Sequence, residues 1–312
     1  MYTLTSSPTP SMQEEFDDDQ LGSGQSASGT LIMEDGAKSV RQLELLLERQ
    51  NKPCLPLVYP ARLPQGEGLS GWRDRNRQVV WLVQSSRRLG QDLATSSLAV
   101  TIFDTVLIST RVPSKYSHCV AAASLSLARK LLDDFDEDLS ILLERLKLSY
   151  SSAELTRMEL RILDALKWDA YLPTLYRFVE VLLNQIGAGF LLSFIRPHIE
   201  EILQDSNLIG QYKPSILAVS VVSLLVEATN KKWLHVAQTQ AKLCKTDLNV
   251  VNRVRSRIAV LWNRHQLPKP SAYNLLMNQE GSNDMKTKVD MFATLSTDVI
   301  MSPVLQMQPT PC

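Results

Sequence analysis

Apolar and small side chains fill one helical stretch within residues 116–134. Every residue from Cys119 to Ala128 is apolar or a serine, and charge returns only near the end of the stretch, at Arg129 and Lys130. A helix at a protein surface has a polar side, so a helix that is apolar or small all round is expected to be enclosed by its neighbours. We predict that this stretch is the central helix of an all-α bundle and that its C-terminal end reaches the surface.

Helical periodicity continues on both sides of the central helix. Two helices are predicted before it, one ending at Gly90 and one before Pro113, and a short helix is predicted over residues 138–147. A further helix opens with Ser151 and Glu154, which have the spacing of a capping box. This stretch of about one hundred residues therefore predicts five helices, and it contains no convincing strand.

A second series of five helices is predicted after Pro173, and its third member is again apolar or small on nearly all sides. We interpret the two series as an internal duplication of a five-helix unit, because each places its enclosed helix third. Thr246 is the predicted N-cap of the last helix. The predicted helices span residues 174–186, about 190–203, 214–229, 233–243 and 247–265.

Changes in composition divide the chain into five parts. The two ends are rich in small and polar residues and have almost no apolar periodicity, which is typical of disordered tails. A short helix from Ser39 and a segment rich in proline and glycine precede the first five-helix unit. The predicted parts are a tail (1–38), a helix with a linker (39–71), the first unit (72–170), the second unit (171–265) and a tail (266–312).

Charge and cysteine usage narrow the functional classes. The chain has 33 basic and 33 acidic residues, so no overall field attracts it to nucleic acid or to an anionic membrane. No uncharged apolar run approaches the ~20 residues that span a bilayer, so we expect a soluble protein that does not bind membranes. Scattered cysteines and the lack of a signal-peptide pattern predict a nuclear or cytoplasmic location. The cysteines are Cys54, Cys119, Cys244 and Cys312.

Patterns of catalytic or cofactor-binding residues are not found in the sequence. The four histidines do not have metal-ligand spacing with one another or with the cysteines. The glycines of residues 22–24 lack the preceding strand and the following lysine of a phosphate-binding loop. We expect a protein that is not an enzyme, with no catalytic residues, no metal and no cofactor.

Lys130 and Glu159 are the most informative charged residues. Lys130 lies at the end of the central helix, and Glu159 lies at the edge of the apolar stripe of the fifth helix. The pattern favours an internal ion pair between these helices. An alternative, compatible with the first, is that the pair is presented to another protein amid Leu127, Leu131, Leu163 and Trp168. A partly buried ion pair adds little net stability by itself, but it can orient two polar groups towards a partner.

Five segments of the first predicted unit carry a resemblance to a known family: Arg75 with Trp81-Leu82, Leu98-Ala99-Val100 with Asp104, Leu127-Ala128-Arg129-Lys130, Arg157-Met158-Glu159 and the segment Leu163 to Asp169. In these segments the first half of the chain resembles the cyclin family, in which two five-helix repeats each have a small-residue helix at the centre. The similarity is strong over the first repeat and weaker over the second, and the last motif is closest to the cyclin G and I branch.

This resemblance implies a regulatory subunit of a cyclin-dependent protein kinase. Cyclins hold the αC helix of a kinase, which completes the kinase's own Lys–Glu pair and orders its activation segment. By position, Lys130 and Glu159 would bind the backbone of the kinase. The apolar residues packed beside them would be Leu127, Leu131, Leu163 and Trp168.

The sequence departs from the family at two places. Val80 stands where the first helix often has the Asp that pairs with the Arg, so Arg75 is expected to bond elsewhere. Polar Asp74, Arg77 and Gln78 occupy the positions of the apolar substrate-docking patch, which argues against recruitment of substrates there.

Two alternatives of other classes remain. One is a cyclin-fold scaffold that recruits a protein phosphatase, which the G-type resemblance favours. The other is a nucleic-acid-binding protein, since general transcription factor IIB also pairs two cyclin-like folds. Zero net charge and the lack of a zinc ribbon argue against nucleic acid as a partner.

Overall fold

The computed structural model describes the backbone of residues 26–52, 60–133, 138–229 and 233–267, with side chains from residue 38 onward except 228 and 229. In these ranges the regular secondary structure is helical, apart from an isolated bridge between Leu69 and Pro113. The α-helices in these ranges are α1 (Ser26–Gln50), α2 (Trp72–Arg88), α3 (Leu93–Ser109), α4 (Ser117–Leu132), α5 (Leu139–Arg145), α6 (Ser152–Ala165), α7 (Leu175–Gln185), α8 (Arg196–Gln204), α9 (Ser206–Ile209), α10 (Pro214–Thr229), α11 (Trp233–Leu243) and α12 (Leu248–Arg264).

Helices α4 and α10 are the centres of the two halves, as the sequence predicts. Helix α4 packs against α2, α3 and α6, and α10 packs against α7, α11 and α12. Every residue from Cys119 to Arg129 is buried, whereas the next residue, Lys130, is exposed. The predicted all-α fold is confirmed, and the end of α4 reaches the surface at Lys130.

Local signals fix several helix ends at the predicted residues. Gly90 follows the end of α2 with φ of +70°, a left-handed conformation that glycine adopts without steric cost. The side chain of Ser151 accepts a hydrogen bond from the backbone N–H of Glu154, whose carboxylate accepts one from the N–H of Ser151. This capping box starts α6 and therefore sets the position of Glu159 within it.

Two local predictions about helix starts are corrected. Helix α1 begins at Ser26 and not at Ser39, so residues 26–38 are helical and not part of a disordered tail. The N-cap of α12 is Asp247 and not Thr246, because the Asp247 carboxylate accepts the N–H of Asn249. The parts of the predicted tails in residues 1–25 and 268–312 lie outside the described residues.

The predicted helix over residues 190–203 is also wrong in its first part. This stretch contains a 3-10 helix, Gly189–Ser193, and then the separate helix α8. Pro197 stands in the first turn of α8, where the missing N–H of a proline costs no hydrogen bond and its fixed φ suits a helix start. The proline therefore favours a new start over continuation of the preceding turn.

A buried carboxylate, Glu200, and a buried guanidinium, Arg75, join the two halves. Glu200 on α8 has a side chain only 1% exposed and pairs with Arg87 on α2 and with Arg196 on its own helix. Arg75 on α2 is fully buried and reaches the carbonyl oxygen of Gln204 at 3.4 Å. The halves are therefore packed as one body around α2, α3 and α8. Among the described helices, none is both long and apolar enough to cross a bilayer.

Candidate functional site

Lys130 and Glu159 form an ion pair between the C-terminal end of α4 and the middle of α6. The Nζ atom of Lys130 lies 3.0 Å from Oε1 and 2.8 Å from Oε2 of Glu159. The side chain of Lys130 is 39% exposed and that of Glu159 only 6% exposed. The internal ion pair favoured by the sequence is therefore formed. Since an ammonium has three N–H groups, one remains for another acceptor.

The apolar residues singled out with this pair differ in how far they are open to solvent. Leu127 is buried in the core, Leu131 and Leu163 are half-buried against it, and Trp168 is 65% exposed. Leu163 lies one helical turn after Glu159, and the N–H of Trp168 donates to its carbonyl oxygen at 2.8 Å. The structure thus brings these residues to the same end of the two helices, and Trp168 contributes most of the exposed surface among them.

The turn that follows α6 holds Trp168 in a strained conformation. Lys167 and Trp168 have φ of 52° and 62°, in the left-handed region. At Lys167 this is the ordinary conformation after a helix C-cap, and it recurs at Lys147, Lys245 and Gln266, so Trp168 is the unusual residue. A bulky side chain rarely adopts this conformation, and the cost is about 1–2 kcal/mol per residue. Because the ring is mostly exposed, packing in the core does not explain the strain. Strain at an exposed aromatic residue is an indication of function.

Contacts from α1 and α4 fix the chain just beyond this turn. The hydroxyl of Tyr171 donates to the carbonyl oxygen of Leu131 at 3.1 Å, and the Tyr171 carbonyl accepts a hydrogen bond from Arg49 at 2.7 Å. Lys52 pairs with Asp169 at 3.0 Å. The contacts of Arg49 and Lys52 attach the end of α1 to the site, and they were not predicted from the sequence. These two contacts join residues more than one hundred positions apart, which helical periodicity does not detect.

Three exposed leucine or tyrosine side chains near these helix ends were also missed as candidates. Leu132 is 41% exposed at the end of α4, Leu160 is 47% exposed on α6 and Tyr171 is 53% exposed. Leu132 and Leu160 are each adjacent in sequence to a charged residue, which hides them from a search for apolar stripes. Together with Trp168 and Lys130, they form an exposed surface at the ends of α4 and α6 that we call the α4–α6 surface.

Arg75 pairs with a residue of another helix, as expected from the presence of Val80 where the family often has the Asp partner. Its guanidinium makes two parallel hydrogen bonds to Asp104 on α3, with Nε to Oδ1 at 2.8 Å and Nη2 to Oδ2 at 2.7 Å. On the outer side of α2, Asp74 pairs with Arg77 and accepts a hydrogen bond from Ser114. This outer side is therefore polar and internally paired, which agrees with the expectation that it is no apolar docking patch.

Titratable groups elsewhere are consistent with structural roles. Burial raises the pKa of the Cys244 thiol to about 12, and it also raises the pKa of Cys119, with a smaller contribution from Glu154. Both thiols are free and buried. Within the described ranges, no cluster of three or more His, Cys, Asp or Glu side chains is placed to hold a metal ion.

The chain is similar to known cyclins. Residues 44–171, which include every residue of the α4–α6 surface, match the N-terminal domain of cyclins. Human cyclin-I2 is 32% identical over 176 residues, which cover 50% of this chain and 46% of cyclin-I2, so the match spans about half of that relative. Human cyclin-G1 is 24% identical over 263 residues, or 78% of this chain and 88% of cyclin-G1.

A solved structure has the same fold. The X-ray structure of a viral cyclin from herpesvirus saimiri superposes with a TM-score of 0.54 and 19% sequence identity. The superposition covers 63% of this chain and 89% of the viral chain. At this identity the likeness concerns the fold alone.

Proposed function

Because the chain belongs to the cyclin family, near the branch of cyclins G and I, we propose that it binds a cyclin-dependent serine/threonine protein kinase. In this role it activates or directs the kinase in cell-cycle or growth regulation and does no chemistry itself. The single observation that carries the proposal is the Lys130–Glu159 pair, which joins the end of α4 to the middle of α6 and is open on the lysine side.

The pair suits recognition of a helix of the partner. One N–H of Lys130 remains for a backbone carbonyl at the end of such a helix, and the Glu159 carboxylate holds the ammonium in place. Leu131 and Leu163 lie half-buried beside the pair, and Trp168 provides a large exposed ring. Aromatic anchors beside a desolvated polar group are typical of residues that carry most of the binding energy in an interface.

The strain at Lys167 and Trp168 also supports a binding role. The two left-handed residues lower the stability of the fold. Their presence therefore indicates that the turn serves a purpose other than stability. The hydrogen bonds from Tyr171 to α4 and from Arg49 to Tyr171 fix the chain that follows this turn. A rigid Trp168 costs less entropy on binding than a mobile one.

In the proposed mechanism the α4–α6 surface docks on the αC helix of the kinase and favours its inward position. The energy is a coupling free energy, because the surface binds the inward state more tightly than the outward state. The kinase then completes its own Lys–Glu pair and performs the phosphoryl transfer with its own residues.

The test is capture of purified cyclin-dependent kinases by the full chain and by a variant with Lys130→Met and Glu159→Gln. These changes remove the charges and keep most of the volume. We expect the wild-type chain to capture at least one kinase and the variant to lose about 2–5 kcal/mol of binding free energy. The matched control is Arg177→Ala with Glu180→Ala, which removes an ion pair on α7 and should leave capture unchanged.

Two results would contradict the proposal. One is unchanged kinase capture by a well-folded Lys130 and Glu159 double variant. The other is recovery of protein phosphatase subunits without any kinase in a purification of the full chain, which would favour the phosphatase-recruiting scaffold.

We also propose a nuclear or cytoplasmic location, which the two free buried thiols, Cys119 and Cys244, support. Fluorescence microscopy of a tagged full chain checks it.

A further inference from the structure

A groove with an apolar floor lies on the side of the first repeat away from the Lys130–Glu159 pair. It has a volume of about 260 Å³ and lies between the end of α3, the start of α4 and the second half of α6. Its apolar lining includes Val106, Val120, Met158, Ile162 and Ala165. This volume is below the ~300–1,000 Å³ of small-molecule sites, so it suits one or two side chains of a peptide.

Exposed basic and aromatic side chains form the rim of the groove. Arg111 and Arg161 line it and are both exposed, and within the described part of the chain neither has an ion-pair partner. Tyr116, 47% exposed, also lines the groove, and the Nζ atom of Lys115 lies 4.9 Å from the centre of its ring. Among the described residues, no Asp or Glu lines the groove. The rim is therefore positively charged around an apolar floor.

The groove and the α4–α6 surface use different sides of α6. Successive residues of an α-helix are rotated by about 100°. Arg161 is two positions from both Glu159 and Leu163, so it points about 200° away from them around the helix axis. A ligand in the groove would leave Lys130, Glu159 and Trp168 uncovered.

We propose that this groove docks a short acidic segment of another protein, one with an aliphatic or aromatic residue flanked by Asp or Glu. The apolar residue enters the floor of the groove, and the carboxylates pair with Arg111 and Arg161. Arginine suits this role because its planar guanidinium can bind a carboxylate with two parallel hydrogen bonds. The assignment rests on charge complementarity and is independent of kinase binding.

The test measures the binding of a labelled synthetic peptide to the full chain by fluorescence anisotropy. The probe has a central phenylalanine flanked on both sides by glutamates. We expect saturable binding that weakens at higher salt. A probe with glutamines for glutamates, and a probe with serine for phenylalanine, should each bind about tenfold or more weakly.

Variants of the chain locate the binding. Arg111→Glu and Arg161→Glu should each weaken binding by about tenfold or more, and both positions are exposed, so folding should be retained. The matched control is Arg253→Glu, an exposed arginine on α12, which should leave binding unchanged. Capture of a kinase should be unchanged in all three variants, so failure of this proposal is distinguishable from failure of the proposed function.

Three results would overturn the proposal. The first is the absence of saturable binding of the acidic probe. The second is equal weakening by Arg253→Glu and by the groove variants, which would indicate attraction to charge in general. The third concerns the chain's own acidic segment, Glu14 to Asp19, which contains Phe16. Binding only after that segment is made neutral would identify it as the occupant in place of a second protein.

Discussion

The Glu159 carboxylate is almost enclosed, whereas the Lys130 ammonium that pairs with it is open to solvent, with side chains 6% and 39% exposed. Loss of the lysine would therefore leave an uncompensated buried charge. We expect Lys130→Ala to lower the free energy of unfolding by roughly 2 kcal/mol. The double variant with Glu159→Ala should be closer to wild type. Urea unfolding at neutral pH measures both, and equal stability of Lys130→Ala and wild type would contradict the prediction.

Among the described residues, Arg75 is the largest fully buried side chain, and its removal should be among the most damaging single changes. Arg75→Ala would leave Asp104, whose side chain is 10% exposed, without its bidentate partner. We expect a loss of about 3–5 kcal/mol in the free energy of unfolding. Arg75→Lys should also be destabilising, because an ammonium cannot reproduce the planar fork.

A double-variant cycle tests the cause of this loss. Arg75→Met with Asp104→Leu removes both charges and keeps apolar volume, so it should be more stable than Arg75→Ala alone. Urea unfolding of the set measures the coupling. If the double variant is the least stable of the set, the contribution of Arg75 to the free energy of unfolding does not come from its ion pair with Asp104.

The central helices were predictable because burial on all sides leaves a direct mark in the sequence. A helix without a polar side must be enclosed, and both α4 and α10 follow this rule. Capping at Ser151 was equally visible, since it depends on residues three positions apart. Helix α10 also lacks a polar side, and this made the repeat of the five-helix unit predictable.

Other features depend on contacts that no local pattern records. The attachment of α1 to Tyr171 and Asp169 joins residues that are distant in sequence. The left-handed φ of Trp168 was not predictable, because the position has no glycine to indicate it. The split of residues 190–203 into a 3-10 helix and α8 was missed because apolar residues recur in both parts, and Pro197 was the available signal. The Lys130–Glu159 pair was predictable only because a carboxylate stood out beside an apolar stripe.

The capping box at the start of α6 should contribute measurably to stability. Ser151→Ala removes the acceptor of the Glu154 N–H, at 3.2 Å, and the hydroxyl that donates to the Glu154 carboxylate at 2.8 Å. We expect a loss of about 1 kcal/mol in the free energy of unfolding. Ser152→Ala, one residue later, is the matched control and should have little effect. Equal losses in the two variants would contradict the role of the cap.

His118 should make stability depend on pH. Its Nδ1 atom lies 2.9 Å from Oε1 of Gln78, its ring lies 4.5 Å from that of Trp81, and burial lowers its pKa below 6.5. The folded chain thus binds the proton less readily than the unfolded chain. The stabilisation is complete above about pH 6.5 and is lost as the pH falls through the folded-state pKa.

Urea unfolding between pH 5 and 8 measures this dependence, about the usual histidine pKa of ~6.5. We expect the stability of the wild-type chain to fall below that value and the fall to be smaller in His118→Gln. His235→Gln, at an exposed position, is the control and should keep the wild-type profile. An unchanged profile in His118→Gln would assign the dependence to another group.

Trp168 should show a trade between stability and binding. Glycine at this position would relieve a left-handed conformation that costs about 1–2 kcal/mol, although glycine also loses about 0.5–1 kcal/mol of entropy on folding. Because the ring is 65% exposed, little packing is lost. We expect Trp168→Gly to melt at or above the wild-type temperature and yet to lose kinase capture.

Trp168→Ala separates the two effects, because alanine also lacks the ring but keeps the left-handed strain. Both variants should lose capture, and the alanine variant should melt below the glycine variant. Differential scanning calorimetry and the capture assay measure the two properties on the same samples. A glycine variant that melts well below wild type would mean that the ring stabilises the fold, and the strain at this turn would then need no binding role.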